Sequence, residues 1–270
     1  MKKMKSIAIL GLAFTLLVGG VLTGCGSKEA SSDEKVILYT NADDEAIAAM
    51  QNALDSNGYK DKYIVQTFGT SELGGKLLAE GADIEADLIT MSSFYVESAE
   101  DEHHMFKDLE FDTGALEEYP SYYTPITAQE GAIIYNTDVL EENNLPVPTS
   151  IKDLADPVYK DMISVTDIQS SSTAWLLIQA LVSEYGEDGA KDILTSIYEN
   201  AGAHIEESGS GPIKKVRAGE VAIGFGLRHQ AVADKEEGLP IDYVDPTEGN
   251  FTLTESVAVI DKGDDTNSEA

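Results

Sequence analysis

The chain has 270 residues, of which 49 are Asp or Glu and 18 are Lys or Arg, for a formal charge of −31 at pH 7. Such a balance excludes capture of nucleic acid or anionic lipid by general attraction. Hydrophobic residues make up 42% of the chain, too many for a disordered acidic tail. Its single cysteine excludes a disulfide framework.

The N-terminus opens with Lys2, Lys3 and Lys5 and then runs apolar from Ile7 to Leu22. This is the charged and hydrophobic layout of an export signal, shorter than the ~20 residues of a typical membrane span. The segment ends Leu22-Thr23-Gly24-Cys25. That tetrad resembles the lipobox of bacterial lipoproteins, which implies removal of residues 1–24 and lipidation of Cys25. An ordinary signal peptide, or a single membrane helix, is the plainer alternative. Residues 25–35 are then the lipidated Cys and a polar tether without apolar periodicity.

Val36–Tyr39 is a short β-branched apolar run and reads as a buried strand. Asp43 to Leu54 reads as a helix with Ala46, Ile47, Met50 and Leu54 on one face, closed by Gly58. Tyr63–Phe68 and Asp87–Thr90 read as further strands, with a helix from Glu72 to Ala79 between them. The three strands end at Thr40-Asn41, Thr70-Ser71 and Ser92-Ser93. Strands alternating with helices predict an α/β fold with a mainly parallel sheet, whose ligands bind beyond the strand C-termini. His103-His104, after an acidic run, reads as a solvated loop.

Tyr119 to Thr127, with Pro120 and Pro125, reads as a loop, followed by a strand at Gly131–Asn136. Thr149 or Ser150 is predicted to cap a short helix through Leu154, and Ile163–Val165 to form a strand. Helices are predicted from Ala174 to Tyr185, ending at Gly186, and from Gly189 to Asn200. Ser208–Pro212 reads as a tight loop before a helix at Ile213–Arg217. Val221–Leu227 is a glycine-rich strand, suggesting close backbone approach, and ends at Arg228-His229. Ser256–Ile260 is the last strand.

Ser170-Ser171-Ser172-Thr173 precedes the apolar helix that begins at Ala174. The first N–H groups of a helix lack intrahelical partners and carry partial positive charge. With four hydroxyls added they form an oxyanion cradle that needs no lysine. A helix cap with spare serines is the plainer reading. A helix terminus contributes only about 0.3–2 kcal/mol to an anion, against about 8 kcal/mol for micromolar binding, so other segments must contribute.

Taken in order, "ILYTN", "GTSELGGKLLAEG", "EADLITMSSFYVES", "YYTPITAQEGAIIYNTDVL", "SSSTAW" and "SGSGPIKKVRAGEVAIGFGLRHQ" resemble the extracellular solute-binding proteins of ABC importers. The closest branch holds ferric-iron, phosphonate, sugar-phosphate and thiamine binders. The resemblance implies a two-lobed, type 2 periplasmic-binding-protein-like α/β fold, with two crossing strands and the ligand clamped between the lobes. Residues 36–124 plus 249–270 would form lobe 1 and residues 125–248 lobe 2, with hinges at Tyr122–Gly131 and Tyr243–Asn250. Family members usually continue for roughly 60–80 further residues, so a truncated C-terminus is expected.

The ligand shell expected from both lines is Thr40, Asn41, Thr70, Ser71 and Ser92 from lobe 1, with Ser171, Ser172, Thr173, Ser210, Arg228 and His229 from lobe 2. Glu255 is added for a ligand amine or hydroxyl. Hydroxyls and helix N-termini suit phosphate or phosphonate oxygens, and Arg228 supplies a planar fork. A surface ion pair is the plainer reading of Arg228, and a surface histidine that of His229. Ferric iron is the rival ligand, through Tyr122 and Tyr123, which otherwise read as hinge packing. No nucleophile elbow, zinc-helix motif or phosphate loop is present, so no catalysis and no cofactor are expected. The expectation is a lipid-anchored monomer on the extracytoplasmic face that hands a small anionic solute to permease subunits.

Overall fold

The structure, a computed structural model, describes residues 35–263. The export signal, Cys25, nearly all of the tether and the last seven residues lie outside that range.

Among the described residues nine strands form one sheet in the order β2-β1-β3-β9-β4-β7-β5-β6, with β8 also paired to β4. They are β1 (Val36–Thr40), β2 (Tyr63–Thr67), β3 (Leu88–Ser92), β4 (Thr124–Asn136), β5 (Ile163–Thr166), β6 (Ile205–Glu206), β7 (Ile223–Leu227), β8 (Ile241–Val244) and β9 (Thr252–Val259). β1 runs parallel to β2 and β3, and β5 runs parallel to β6 and β7. β4 and β9 are antiparallel to their neighbours and lie between the two parallel sets.

The helices are α1 (Asp44–Leu54), α2 (Thr70–Glu80), α3 (Ser93–His103), α4 (Thr137–Asn143), α5 (Thr173–Ala201), α6 (Gly211–Arg217) and α7 (Arg228–Glu236). α1, α2, α3, α5 and α7 each follow the C-terminal end of a strand, the arrangement that gathers helix N-termini along one side of an α/β sheet. α5 breaks at Gly186, where φ is +70°, a conformation glycine adopts without steric cost. The break falls where the sequence places it.

Each half of the sheet has its own core. One packs Tyr39, Leu73, Leu77, Ile89, Met91, Val96 and Ala258 between sheet and helices. The other packs Ile133, Leu154, Ile163, Leu177, Leu181, Ile197 and Phe225. The chain therefore has the two-lobed α/β architecture that its sequence resembles. Two expectations change in detail. The stretch from Thr124 to Thr127 is strand, not loop, and β4 runs unbroken from β9 in one half to β7 and β8 in the other. A register shift between Pro125 and Thr127 interrupts its pairing, because proline has no N–H to give the ladder.

The second change is α3, whose helical period the residues after Ser93 conceal behind charged positions. His103 is its last residue, with Nε2 2.8 Å from the Leu78 carbonyl oxygen, and His104 is the left-handed cap. The pair is therefore helix end, not loop. The glycines of β7 also find their reason here. A Cβ at Gly224 would meet Pro212 and Val216 at 3.1 Å, so the close approach is that of α6.

Candidate functional site

The site lies where the two halves of the sheet face one another beyond the ends of β1, β2, β3, β5 and β7. Contacts cross this gap directly. Ser71 Oγ, in the first turn of α2, donates to the Gln169 carbonyl just ahead of α5. Glu45, in the first turn of α1, accepts from Arg217 at 2.9 Å and from Gln230 at 3.0 Å, and Lys214 reaches Asp44 at 3.2 Å.

Several helices point uncapped N-termini at this gap. No side chain caps the first N–H groups of α2, α3 or α7; at α5 Ser172 makes no cap bond, Ser171 Oγ accepts from Thr173 N, and Ala174 N and Trp175 N reach the Ser171 and Ser172 carbonyls. By contrast Asp43 caps α1 and Asn136 caps α4. The reason is local at α5. Ser172 occupies the cap position with φ −62° and ψ −23°, already helical, whereas a capping side chain needs an extended backbone to reach back. Asp167 takes the role one turn earlier, accepting from Gln169 N, Ser170 N and Ser170 Oγ at 2.9 Å.

The hydroxyls divide into two sets. Thr40 Oγ1 accepts from Thr90 Oγ1 at 2.6 Å and from Ala42 N at 3.0 Å. Asn41 Nδ2 donates to Thr70 Oγ1 at 2.9 Å, and Ser171 Oγ accepts from Thr173 N at 3.3 Å. These groups shape the strand and helix ends. The hydroxyls of Ser92, Ser172, Thr173 and Ser210 have no hydrogen-bond partner among the described residues, although each residue is at most 7% exposed. Gly209 lies so close over Ser171 and Thr173 that a Cβ there would collide with Thr173 Oγ1. The 208–211 loop and the serine run are therefore one surface.

The charged candidates are placed differently. Arg228 pairs with Asp245 through Nε at 2.8 Å and lies 4.8 Å above the Tyr243 ring. That hydrogen bond holds its guanidinium more firmly protonated than usual, and its fork is already engaged. His229 is exposed on α7. Glu255 is half-buried on β9 with no hydrogen-bond partner among the described residues. Burial, and secondarily the Asp43 carboxylate, push its carboxyl up to about 7. Burial also opposes ionisation of Glu45, but hydrogen bonds from Gln230 and Arg217 outweigh it and hold that carboxyl below its usual range.

Tyr122 and Tyr123 pack in and against the core of the first half, beside Phe106 and Tyr119. Tyr123 donates to Glu97 at 2.6 Å, and burial together with this bond drives its phenol well above the ordinary range. Burial raises Tyr122 as well. Among the described residues no group of three His, Cys, Asp or Glu side chains is arranged to hold a metal ion. Surface hollows beside Asp156 and Asp192 and under the 109–123 loop contain none of the converging hydroxyls.

Sequence reasoning did not single out Gln169, Glu45, Arg217 or Gln230, which make the contacts across the gap. Nothing in the local pattern marks them, since their partners lie 98 to 185 residues away.

The sequence profile described as "Bacterial extracellular solute-binding protein" matches residues 87–268. The chain belongs to this family. Among curated relatives of this solute-binding protein, an uncharacterised Haemophilus influenzae protein is 35% identical over 103 residues, covering 38% of this chain and 30% of its own. The Fe(3+)-binding periplasmic protein of Serratia marcescens is 25% identical over 219 residues, covering 77% of this chain and 61% of its own. The chain thus spans less than two thirds of either relative. The periplasmic binding protein AfuA of Actinobacillus pleuropneumoniae, solved with fructose-6-phosphate bound, superposes with a TM-score of 0.72 at 22% identity. That match covers 85% of this chain and 74% of AfuA, and at this identity it speaks for the fold. Among the described residues no helix is long and apolar enough to cross a membrane.

Proposed function

We propose that this solute-binding protein captures a small organic phosphonate or phosphate ester between its lobes, carries out no chemistry on it, and delivers it to an ABC permease. The observation that carries the reading is the approach of the two halves across the gap, where Glu45 accepts from Arg217 and Gln230 and Ser71 meets the Gln169 carbonyl. It brings the uncapped start of α2, from residues 36–124, against the serine run at the start of α5, from residues 125–248. Two helix N-termini facing one gap place partial positive charge on both sides of it. Ser92, Ser172, Thr173 and Ser210 add donors whose hydrogen bonds are otherwise unmade.

An oxyanion with three oxygens matches such a neutral donor set, since each oxygen accepts from N–H or O–H without a cation. Each contact is weak, and closure of the lobes about β4 and β9 sums them while excluding water. With Arg228 held by Asp245, the site binds its anion through dipoles rather than through a guanidinium. Lipidation at Cys25 would keep the protein, as a monomer, beside its permease on the outer face of the membrane. The Serratia relative is named for ferric iron, but Tyr123 is buried and donates to Glu97, and the phenols of both Tyr122 and Tyr123 are raised, which does not suit tyrosinate ligation here.

A thermal-shift titration of the protein tests this. Alkylphosphonates, sugar phosphates, ferric iron with a carrier anion, thiamine and uncharged sugars are compared. A true ligand at a hundred times its dissociation constant adds about 2.7 kcal/mol. Shifts with the phosphonate or phosphate ester are expected. A shift with ferric iron alone, accompanied by visible absorbance, would overturn the reading.

A further inference from the structure

Two stretches of chain cross between the lobes, and their partners show which lobe holds each residue. After β8 the chain returns through residues 245–250 to β9. Glu248 in this turn is 9% exposed. Its Oε2 accepts from Ile151 N at 2.9 Å, and its Oε1 from Lys152 N at 3.0 Å and from the Tyr185 hydroxyl at 3.2 Å. Thr247 N donates to the Thr149 carbonyl at 3.1 Å. A carboxylate is costly to bury alone, and hydrogen bonds to its charged form are the strong kind, so this turn is fixed to the second lobe. Tyr185 stands next to Gly186, where α5 breaks. Glu248 therefore seats the far end of the α5 segment whose first turn begins at Thr173. At 1.5 Å per residue those two ends lie about 18 Å apart. Beyond the turn, Phe251 and Leu253 pack against the core of the second lobe.

The residues that follow have other partners. On β9, residues 255–259 pair with β3 of the first lobe. On β4, pairing with β7 begins at Gly131. Between these limits the crossing strands pair with each other alone, Ala128 with Thr254, Gln129 with Leu253 and Glu130 with Thr252. The register then shifts between Pro125 and Thr127, and Ile126, at the shift, is 45% exposed. Pro125 has no N–H to offer Ser256 across the ladder. The Ser256 hydroxyl is fully buried and has no partner among the described residues. An irregularity of this kind bends a strand and disrupts its ladder locally. Hinges are built from a few such residues that absorb the change in φ and ψ.

We propose that Glu248 fixes the return segment to the second lobe, so that closure bends the crossing strands at residues 125–127 and 254–256 and is transmitted through Glu248 to α5, whose start then closes on α2. This rests on the lobe closure described above and adds where the chain bends. Residues 243–250, a hinge by the sequence expectation, then move with the second lobe. The lobe boundary on β9 falls after Leu253 rather than before Gly249. Gly249, at φ +97°, makes the turn possible but does not bend, because Glu248 before it and Phe251 after it are both held. Asp245 adds an exposed tie to Arg228 at 2.8 Å, of a kind that contributes little. The buried carboxylate is the anchor, and it is a positioning residue that acts through Tyr185 and the backbone of Ile151 and Lys152.

The test is hydrogen–deuterium exchange read by mass spectrometry, on the wild-type protein and on Glu248→Gln and Tyr185→Phe, each free and with ethylphosphonate. In the free wild-type protein, residues 246–253 are expected to exchange about as slowly as 149–152, and roughly ten-fold more slowly than 125–128 and 254–256. Glu248→Gln keeps the size of the side chain but cannot accept all three bonds. It should speed exchange at 149–152 and 246–253 about ten-fold while β5 and β7 keep their protection. Tyr185→Phe removes one donor and should produce a few-fold effect at the same residues, which decides the matter if Glu248→Gln loses protection throughout the second lobe. Ethylphosphonate should slow exchange in the wild-type protein at 125–128 and 254–256 and leave 246–253 as it was. Exchange at 246–253 as fast as at the register shift, or unchanged there in both variants, would overturn the anchor. A ligand effect at 246–253 in place of 254–256 would overturn the position of the bend. No response to ethylphosphonate anywhere would count against the anion reading, and the anchor and the bend would then be decided by the free-protein comparison alone.

Discussion

Arg217 Nη1 stands 2.9 Å from Glu45 Oε1 while its Nε stands 2.7 Å from Asp234, so one guanidinium ties α6 and α7 to the first turn of α1. Gln230 completes the bridge by donating to the other Glu45 oxygen. Acidic residues at the start of α1 already complement its dipole, and the bridge uses them a second time to join the two halves. Glu45→Gln is expected to favour the open arrangement and weaken solute binding a few-fold, in keeping with about 0.2–1 kcal/mol for a half-exposed pair. Arg217→Gln should cost more stability than Glu45→Gln, because the Asp234 side chain is only 6% exposed and would lose its cation. A double-mutant cycle read by calorimetry, with solution scattering for the degree of opening, measures the coupling. Additive effects of the two changes would show that the bridge has no part in closure.

The serine run offers a clean separation of capping from binding. Replacing a capping Ser or Thr by Ala costs about 0.5–2 kcal/mol of stability, yet Ser172 makes no cap hydrogen bond. Ser172→Ala with Thr173→Ala should therefore leave the melting temperature nearly unchanged and weaken anion binding by about 1–3 kcal/mol. Gly209→Ala, which drives a methyl group onto Thr173 Oγ1, should weaken binding in the same direction. A lower melting temperature with undiminished affinity would assign the run to capping.

Arg228 gives the opposite expectation. Its guanidinium is held between Asp245 and the Tyr243 ring, on a side chain one third exposed. Arg228→Gln should change solute affinity less than two-fold and lower stability by about 0.5 kcal/mol. A loss of affinity above ten-fold in calorimetry would return the guanidinium to the binding site.

The strand ends and helix starts were legible in the sequence because short β-branched runs, caps and glycines act locally. Asp43, Gly58, Gly186 and the Ser150–Asp153 turn all stand where local chemistry requires them. Helix α3 was not legible, since Glu97, Ser98 and Glu100 to His103 interrupt its apolar face and only Val96 and Ala99 are buried. The crossing strand was obscured by Pro125, a residue that reads as a turn until its ladder partner on β9 is known. In the same way Thr40 and Ser92 are both hydroxyls at strand ends. Only the fold shows that the first is satisfied by Thr90 and the second has no partner. Pairings between distant segments decide such cases, and no single window of sequence contains them.

Glu255 connects the site to stability. In the unfolded chain its carboxyl titrates near the ordinary value of 4.5, and in the folded protein it is pushed up to about 7. Between those values the folded state binds more protons, so the contribution of this residue to stability falls as pH rises from about 4.5 to 7 and stays low above. Burial is the main cause, with the Asp43 carboxylate second. Glu255→Gln removes the ionisable group and keeps the shape, so the variant should melt higher than wild type at pH 8 and close to it at pH 4.5. The gap should open through the interval between those two values when melting is followed by circular dichroism. A melting difference that is independent of pH would show that Glu255 does not carry a raised carboxyl in the folded protein.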